Sequence, residues 1–387
     1  MKEQNRSDTK PGHIIPGITI MVVFVLLSAQ YVGTIVEVSA SSFPAGNISS
    51  PYSVLQNVMI RQLISPNADA QPGGGFGFSV AASGSIVVVG AATQTANGQP
   101  EAGHAYTFNA TTGGLISTLT SPNPQRGGFF GSSVAASGYI VVVGAAHETA
   151  DGQQDAGHAY TFNATTGALI STIISPNVQR TGSFGSSVAT SGNIIVVGAG
   201  TETADGLGFA GHAYMFNATT GALISTLTSP NAQSGGVFGT SVAASDNIVV
   251  VGAVLENVNG QSAAGHAYAF DAGTGALIST LTSPNVDSYS FFGLSVATKG
   301  NILVVGAPSE TASGQLFAGH VYTFNVETGA LISTLTSPNP QSGGGFGFSV
   351  AATGNILGVG APFEKVNGQI AGQAYTSRLA PQNLAGL

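Results

Sequence analysis

Five glutamates, Glu148, Glu202, Glu256, Glu310 and Glu364, stand at a constant spacing of 54 residues, and Gln94 holds the same register ahead of them. Each lies in a polar segment of the kind HETADGQQDAG, where Asp151 and Asp155 add carboxylates in one copy and Asp205 adds one in the next. Oxygen-rich clusters of this type hold a cation or a polar ligand, so these eight acidic residues are the candidate binding groups. The competing reading is a carboxylate that accepts hydrogen bonds from its own loop's backbone and is repeated because the unit is repeated. A second series, His104, His158, His212, His266 and His320, recurs at the same period in AGHAY or AGHVY, with Gln373 in the last copy. Imidazoles ligate metals at about 2.1 Å. Here they alternate in phase with Tyr and Phe, which marks them as packing positions. No G-x-S-x-G elbow and no H-E-x-x-H pair occurs in the sequence, and chemistry of that kind needs a unique cluster that near-identical copies do not supply.

The elements that carry these residues follow from the repeat. Phe-Gly pairs at Phe76, Phe130, Phe184, Phe238, Phe292 and Phe346 keep the 54-residue period, which signals a solenoid, a propeller or an array. One copy contains an alternating run (FGFSVAASG), a continuous apolar run (SIVVVGAA), a second alternating run (AGHAYTFN) and a fourth after the turn ATTG (GLISTLTSP). Gly, Asn and Pro signals separate them, and no helical period intervenes. Four strands per unit of this length is the arithmetic of a propeller blade. IVVVGA is apolar throughout because both faces of a blade pack on neighbouring blades. The last unit stops without a fourth strand, whereas residues 54–65 match the end of a unit and lack its beginning. The expected fold is all-β, a six-bladed propeller of four-stranded antiparallel blades over 53–387, closed by the N-terminal strand 54–65 completing the last blade.

The words FG.SVA, VVVGA and G..Y.F, with Gly306-Ala307-Pro308 and Gly360-Ala361-Pro362, resemble FG-GAP repeats, those of the integrin alpha-chain propeller and of many secreted microbial proteins. The resemblance implies a propeller and an interaction role. Calcium-binding blades of that family carry an Asp/Asn-rich loop between their first two strands. The corresponding turns here are SGS, SGY, SGN, SDN, KGN and TGN, too short and too poor in oxygen for the six to eight ligands calcium usually takes. No metal and no cofactor is therefore expected.

Strands alternate in direction, so the turns after strands one and three form one rim and the long loops after strands two and four form the other. The glutamates and the long loops share a face. The opposite rim carries Asn109, Asn163 and Asn217 in N-A-T triplets, and Asn47 begins N-I-S upstream; all four are N-glycosylation acceptor patterns, and the equivalent Asp271 also marks the position as a hairpin turn.

Lys2, Arg6 and Lys10 precede an uncharged stretch from Pro11 to Val36. That order is a signal peptide cleaved after Ala40, or an uncleaved anchor, giving a leader (1–40), a linker (41–52) and the propeller. Either way the propeller is exported, secreted or held at the cell surface, with membrane contact only through that segment. The chain has 9 Lys+Arg against 17 Asp+Glu, a net charge of -8 and no basic run, which excludes nucleic acid as a partner. It has no cysteine, which excludes disulfides and thiol chemistry. With 55 glycines, 43% hydrophobic residues and only 7% charged ones, the composition suits short strands and tight turns rather than disorder. The functional expectation is a non-enzymatic module that binds an extracellular protein or glycan through the long-loop face. The alternatives are an extracellular carbohydrate-active hydrolase or lyase and a structural envelope component. Three places break the symmetry of the repeat: Asp151/Asp155, Asp287-Ser-Tyr-Ser290 and Lys299.

Overall fold

The computed structural model describes residues 62–67 and 73–378. The expected leader, the linker, Asn47 and residues 54–61 of the closing strand lie outside the described residues. The described chain is all-β, a six-bladed propeller of antiparallel sheets. Blade one contains Phe76–Ser83, Ile86–Ala91, His104–Asn109 and Leu115–Leu119, hydrogen-bonded in that order from the inside outwards. Four further blades repeat this order, and the sixth shows Ser349–Thr353, Ile356–Ala361 and Gln373–Arg378 among the described residues. No helix among the described residues is long and apolar enough to cross a membrane.

The core is a series of layers between blades. Val88, Ala105 and Leu119 of blade one pack on Phe130, Val141, Val143, Tyr160 and Phe162 of blade two. The layer between blades two and three repeats the pattern, with Val142, Ala159 and Ile173 against Phe184, Ile195, Tyr214 and Phe216. Alternate residues of each second strand point into opposite layers, which is why the whole run is apolar. Leu63 packs on the blade-one layer with Val89, Tyr106 and Phe108. That is the role Leu119 plays one blade later, so residues 62–67 dock on blade one as the end of an outer strand does.

Small residues set the blade spacing. A methyl group on Gly198 would overlap the carbonyl oxygen of Gly239 in the next blade, and Gly239 itself lies at φ +96° with its would-be side chain against the backbone of His212. The same carbonyl accepts a hydrogen bond from Ser187 Oγ at 2.8 Å. The Phe-Gly word and the Gly-Ala word are therefore two halves of one interblade contact.

This contact gives a stability test. Gly198→Ala forces backbone against backbone and should lower unfolding free energy by about 3 kcal/mol, the upper part of the usual overpacking range. Gly208→Ala, where nothing lies within 4 Å of the added methyl and φ is not positive, should leave stability unchanged or raise it by about 0.5 kcal/mol. Urea unfolding of the two variants separates them, and equal midpoints would contradict the contact.

Candidate functional site: the long-loop face

Each loop after a second strand is folded by its own backbone. In blade two, Glu148 N donates to Ala145 O, Gly157 N donates to Glu148 O at 2.8 Å, and Ala150 and Gln153 exchange two bonds across a two-residue turn. The central residues of that turn, Asp151 and Gly152, both have positive φ, at 46° and 76°. Asp205-Gly206, Asn97-Gly98, Asn259-Gly260, Ser313-Gly314 and Asn367-Gly368 repeat the pair. Two successive positive φ values are the mark of a type I′ hairpin turn, which favours Asn-Gly and Asp-Gly. Asp151 and Asp205 are thus turn residues at exposed tips.

Backbone bonds then join each loop to the chain entering the next blade. Phe129 N donates to Glu101 O and Phe130 N to Ala102 O in the first junction. A glutamine side chain completes the join from the other side. Gln125 Oε1 accepts from Thr149 N at 2.9 Å and its Nε2 donates to Thr149 O at 3.2 Å. Gln179, Gln233 and Gln341 do the same with Thr203, Asn257 and Lys365. The sequence signal for this clamp is the Gln four residues after the Ser of SPN, which pattern reading alone did not single out.

The repeated glutamates do not face the loop surface. Glu148, Glu202, Glu256, Glu310 and Glu364 are each 0% exposed. Tyr214 donates to Glu202 Oε2 at 2.5 Å and Ser175, at the end of the preceding blade, donates to Oε1 at 2.5 Å. His212 Nδ1 lies 2.9 Å from the same carboxylate, and its ring stacks on Tyr214 with centroids 5.4 Å apart. That Nδ1 makes no hydrogen bond of its own, so the imidazole stands beside the carboxylate by proximity and by its stacking on the tyrosine. Glu256 and Glu310 repeat the arrangement with Tyr268, Ser229 and His266, and with Tyr322, Ser283 and His320. Glu148 accepts from Tyr160 at 2.5 Å and lies 3.1 Å from His158, while Ser121 donates to the tyrosine.

The partners of the carboxylate are therefore side chains, not the loop N–H groups anticipated above. The histidine tip meets the glutamate. Where Gln94 replaces the glutamate, it accepts from Tyr106 and donates to Ser65, and burial without a carboxylate lowers the pKa of His104. Where Gln373 replaces the histidine, Tyr375 bonds both Glu364 and Gln373.

Burial first, then the adjacent glutamate, pushes the pKa of Tyr160, Tyr214, Tyr268 and Tyr322 far above the normal phenol value. These hydroxyls are permanent donors.

Asp155 sits where the loop meets the next junction, at φ 54°. Its Oδ1 lies 3.6 Å from His147 Nδ1, and Phe129 meets His147 edge-on at 5.3 Å. With Glu148 buried beneath and Asp151 at the tip, the three acidic residues of blade two form no common oxygen pocket. Among the described residues no three His, Asp or Glu side chains converge as a metal site. On the opposite rim Asn109, Asn163 and Asn217 each accept from the backbone N–H two and three residues on, as Asp271 does. The turn role of these positions is thereby shown.

The tyrosine shifts give a pH prediction. A phenol whose folded pKa is raised keeps its proton while the unfolded chain loses it, so its contribution is intact below about pH 10 and is lost as pH rises beyond that value. Melting temperature should be insensitive to these tyrosines from neutral pH up to about pH 10 and fall beyond it. Ultraviolet titration should show Tyr160, Tyr214, Tyr268 and Tyr322 ionising only as the protein unfolds; their reversible ionisation in folded protein would contradict the burial.

A family model described as FG-GAP repeat matches residues 63–108, 114–162, 169–216, 223–270 and 277–324. Each matched stretch after the first begins at an outer strand and ends on the third strand of the next blade, so the matched unit straddles the interblade layer. A search of curated proteins finds no match. Among solved structures, the crystal structure of the computationally designed Ika8 protein is similar at 21% identity, with 76% of this chain and 72% of that chain covered and a TM-score of 0.47.

Proposed function

The chain belongs to the FG-GAP repeat family, and from that premise we propose that it is an exported, non-enzymatic interaction module whose partner, an extracellular protein or glycan, docks on the long-loop face. The observation that carries this reading is the knitting of that face. Loop and junction are bonded to each other at successive blades through backbone N–H groups and glutamine clamps. Loops held side by side by a rigid scaffold are the usual seat of binding, and a pre-ordered surface loses little entropy on association. The carboxylates with chemical potential are turned inward as blade-to-blade ties, which favours recognition over catalysis. Export rests on the N-terminal pattern of Lys2, Arg6, Lys10 and the apolar stretch after them, and it agrees with the setting in which FG-GAP repeats occur.

Because the chain has no cysteine, single thiols can be placed at will. Gln153→Cys and Gln315→Cys put one on an exposed long loop, and Thr111→Cys and Glu327→Cys put one on an exposed turn of the other rim. After coupling to a polyethylene glycol maleimide, each is assayed on a glycan array and against extracellular protein extract. Binding should be lost with the label on the long-loop face and kept with it on the turn rim. The reverse pattern would move function to the turn rim.

A further inference from the structure

The long-loop face is not uniform, and its departure from symmetry is concentrated at blades five and six. At the junction between blades four and five the clamping glutamine is replaced by Asp287. Here the chain turns on itself, Ser290 Oγ donating to Asp287 O at 2.5 Å. The turn pushes Tyr289 outward at φ 61°, 43% exposed, where it meets Phe291 edge-on with centroids 6.4 Å apart. Phe291 occupies the place of Phe129, Ser309 that of His147 and Phe317 that of Asp155. In blade two Phe129 and Asp155 both reach His147, so the register sets Phe291 and Phe317 on either side of Ser309. Phe317 is 52% exposed, with Leu316 beside it at 59%. Gly345 N donates to Phe317 O at 3.1 Å, a side chain on Gly345 would touch the Phe363 ring, and Phe363 meets Phe348 edge-on at 5.7 Å. Tyr289, Phe291, Phe317, Phe363 and Phe348 thus follow one another along the rim.

Side-chain type, not backbone conformation, sets this stretch apart from its counterparts in the other blades. The positive φ of Tyr289, Phe291 and Phe317, at 61°, 56° and 56°, belongs to the repeat, since Thr181, Phe129 and Asp155 hold the same positions at 59°, 51° and 54° in other blades; what is particular here is an aromatic side chain at all three positions. Each is fixed by its own main-chain bond, Tyr289 N to Ser262 O, Phe291 N to Ala263 O, and Phe317 O from Gly345 N. The backbone that carries the rings is ordered in the free protein, as it is at the other junctions. The chemistry of the surroundings says which ligand. Over residues 287–291, 309–317, 345–348 and 363–366 the exposed charges are Asp287 and Lys365, of opposite sign, since Glu310 and Glu364 are buried, and the intervening exposed side chains include Ser288, Ser313 and Gln315. Apolar ring faces in a line, separated by hydroxyl and amide groups, match a chain of sugar rings, whose C–H faces stack on aromatics and whose hydroxyls need neutral hydrogen-bonding partners. A protein partner of ordinary affinity wants a rounded patch of about 800 Å² per side with a dry centre, which a line of rings along a rim does not offer.

Resting on the reading of the long-loop face as the binding face, we propose that the Tyr289–Phe291–Phe317–Phe363 track is a binding platform for a neutral polysaccharide. The probes are hydroxyethylcellulose, galactomannan and xyloglucan, each cast into native gels, with carboxymethylcellulose as the charged analogue. At least one neutral polymer should retard the intact protein, with an affinity unchanged between about 50 and 500 mM salt because no charge is paired. Tyr289→Ala with Phe317→Ala should weaken retardation by at least about ten-fold. Tyr289→Phe with Phe317→Tyr, which keeps both rings, should preserve it. Phe209→Ala, which removes an equally exposed ring from blade three, should have no effect. All variants should melt as the parent does, since the altered side chains face solvent.

Retardation by none of the neutral polymers overturns the proposal, as does undiminished retardation of the double alanine variant. If the polymers fail while a polyethylene glycol label at Gln315 still blocks capture of a protein, the glycan inference falls and the long-loop reading stands. If that label blocks nothing, both fall.

Discussion

The buried carboxylate between blades is the constraint on which the rest of this propeller depends. An ionised glutamate taken out of water costs several kcal/mol unless it is fully paired, and each of these is 0% exposed. Its position therefore coincides with a tyrosine hydroxyl of its own blade, and in blades two to five an imidazole stands beside it, while one oxygen of Glu148 and of Glu364 makes no hydrogen bond. In blades three to five a serine hydroxyl at the end of the previous outer strand completes the set. The tie acts across the interblade layer, which hydrophobic contact alone would leave free to slide, because burial of apolar area has no direction. Fixing the first residues of the loop also fixes where the loop begins, and the main-chain bonds onward to the next junction follow from that.

The two ends of the repeat show the constraint from another side. Gln94 stands in blade one where the others have glutamate, and it meets Tyr106 with its oxygen and Ser65 with its nitrogen. Gln373 stands in blade six where the others have histidine, and Tyr375 bonds both it and Glu364. Each exchange is neutral and keeps the tyrosine hydroxyl paired. A change that left that hydroxyl or the carboxylate alone in the layer would cost the full desolvation of the group, so the positions tolerate substitution only by residues with matching donors and acceptors.

The blades, their four-strand order and the burial of the histidines are legible in the sequence because period and alternation encode them. FG and GA recur at fixed offsets since each excludes a side chain for the sake of the other's backbone. The glutamates are a different case. Spacing gives their register in the loop, and a carboxylate in a polar loop is ordinarily solvated, so the pattern places them at the surface. The bond from Glu148 N back to Ala145 O folds the loop's first turn under itself and the side chain is buried with it. The glycines that follow Asp151 and Asp205 mark both as turn residues in the sequence itself. The aromatic track was the hardest to see. Tyr289, Phe317 and Phe363 are far apart in the chain, and only the register of one junction against the next makes them neighbours.

Turning the carboxylates inward also determines how the outer surface can bind. Only six Lys or Arg residues follow Ala40, and the repeated glutamates contribute nothing to the surface because they are enclosed. Long-range attraction between unlike charges speeds encounter and fixes orientation in many complexes, and here the exposed charges are scattered rather than gathered into a patch of one sign. What the long-loop face offers is backbone geometry, hydroxyl and amide groups, a few exposed rings, and scattered single charges of both signs such as Asp151, Arg180, Asp205 and Lys365. Specificity on such a surface has to come from shape and from the placement of hydrogen-bond partners, and so from the rigidity of the loops. The same buried carboxylates that remove charge from the surface supply that rigidity.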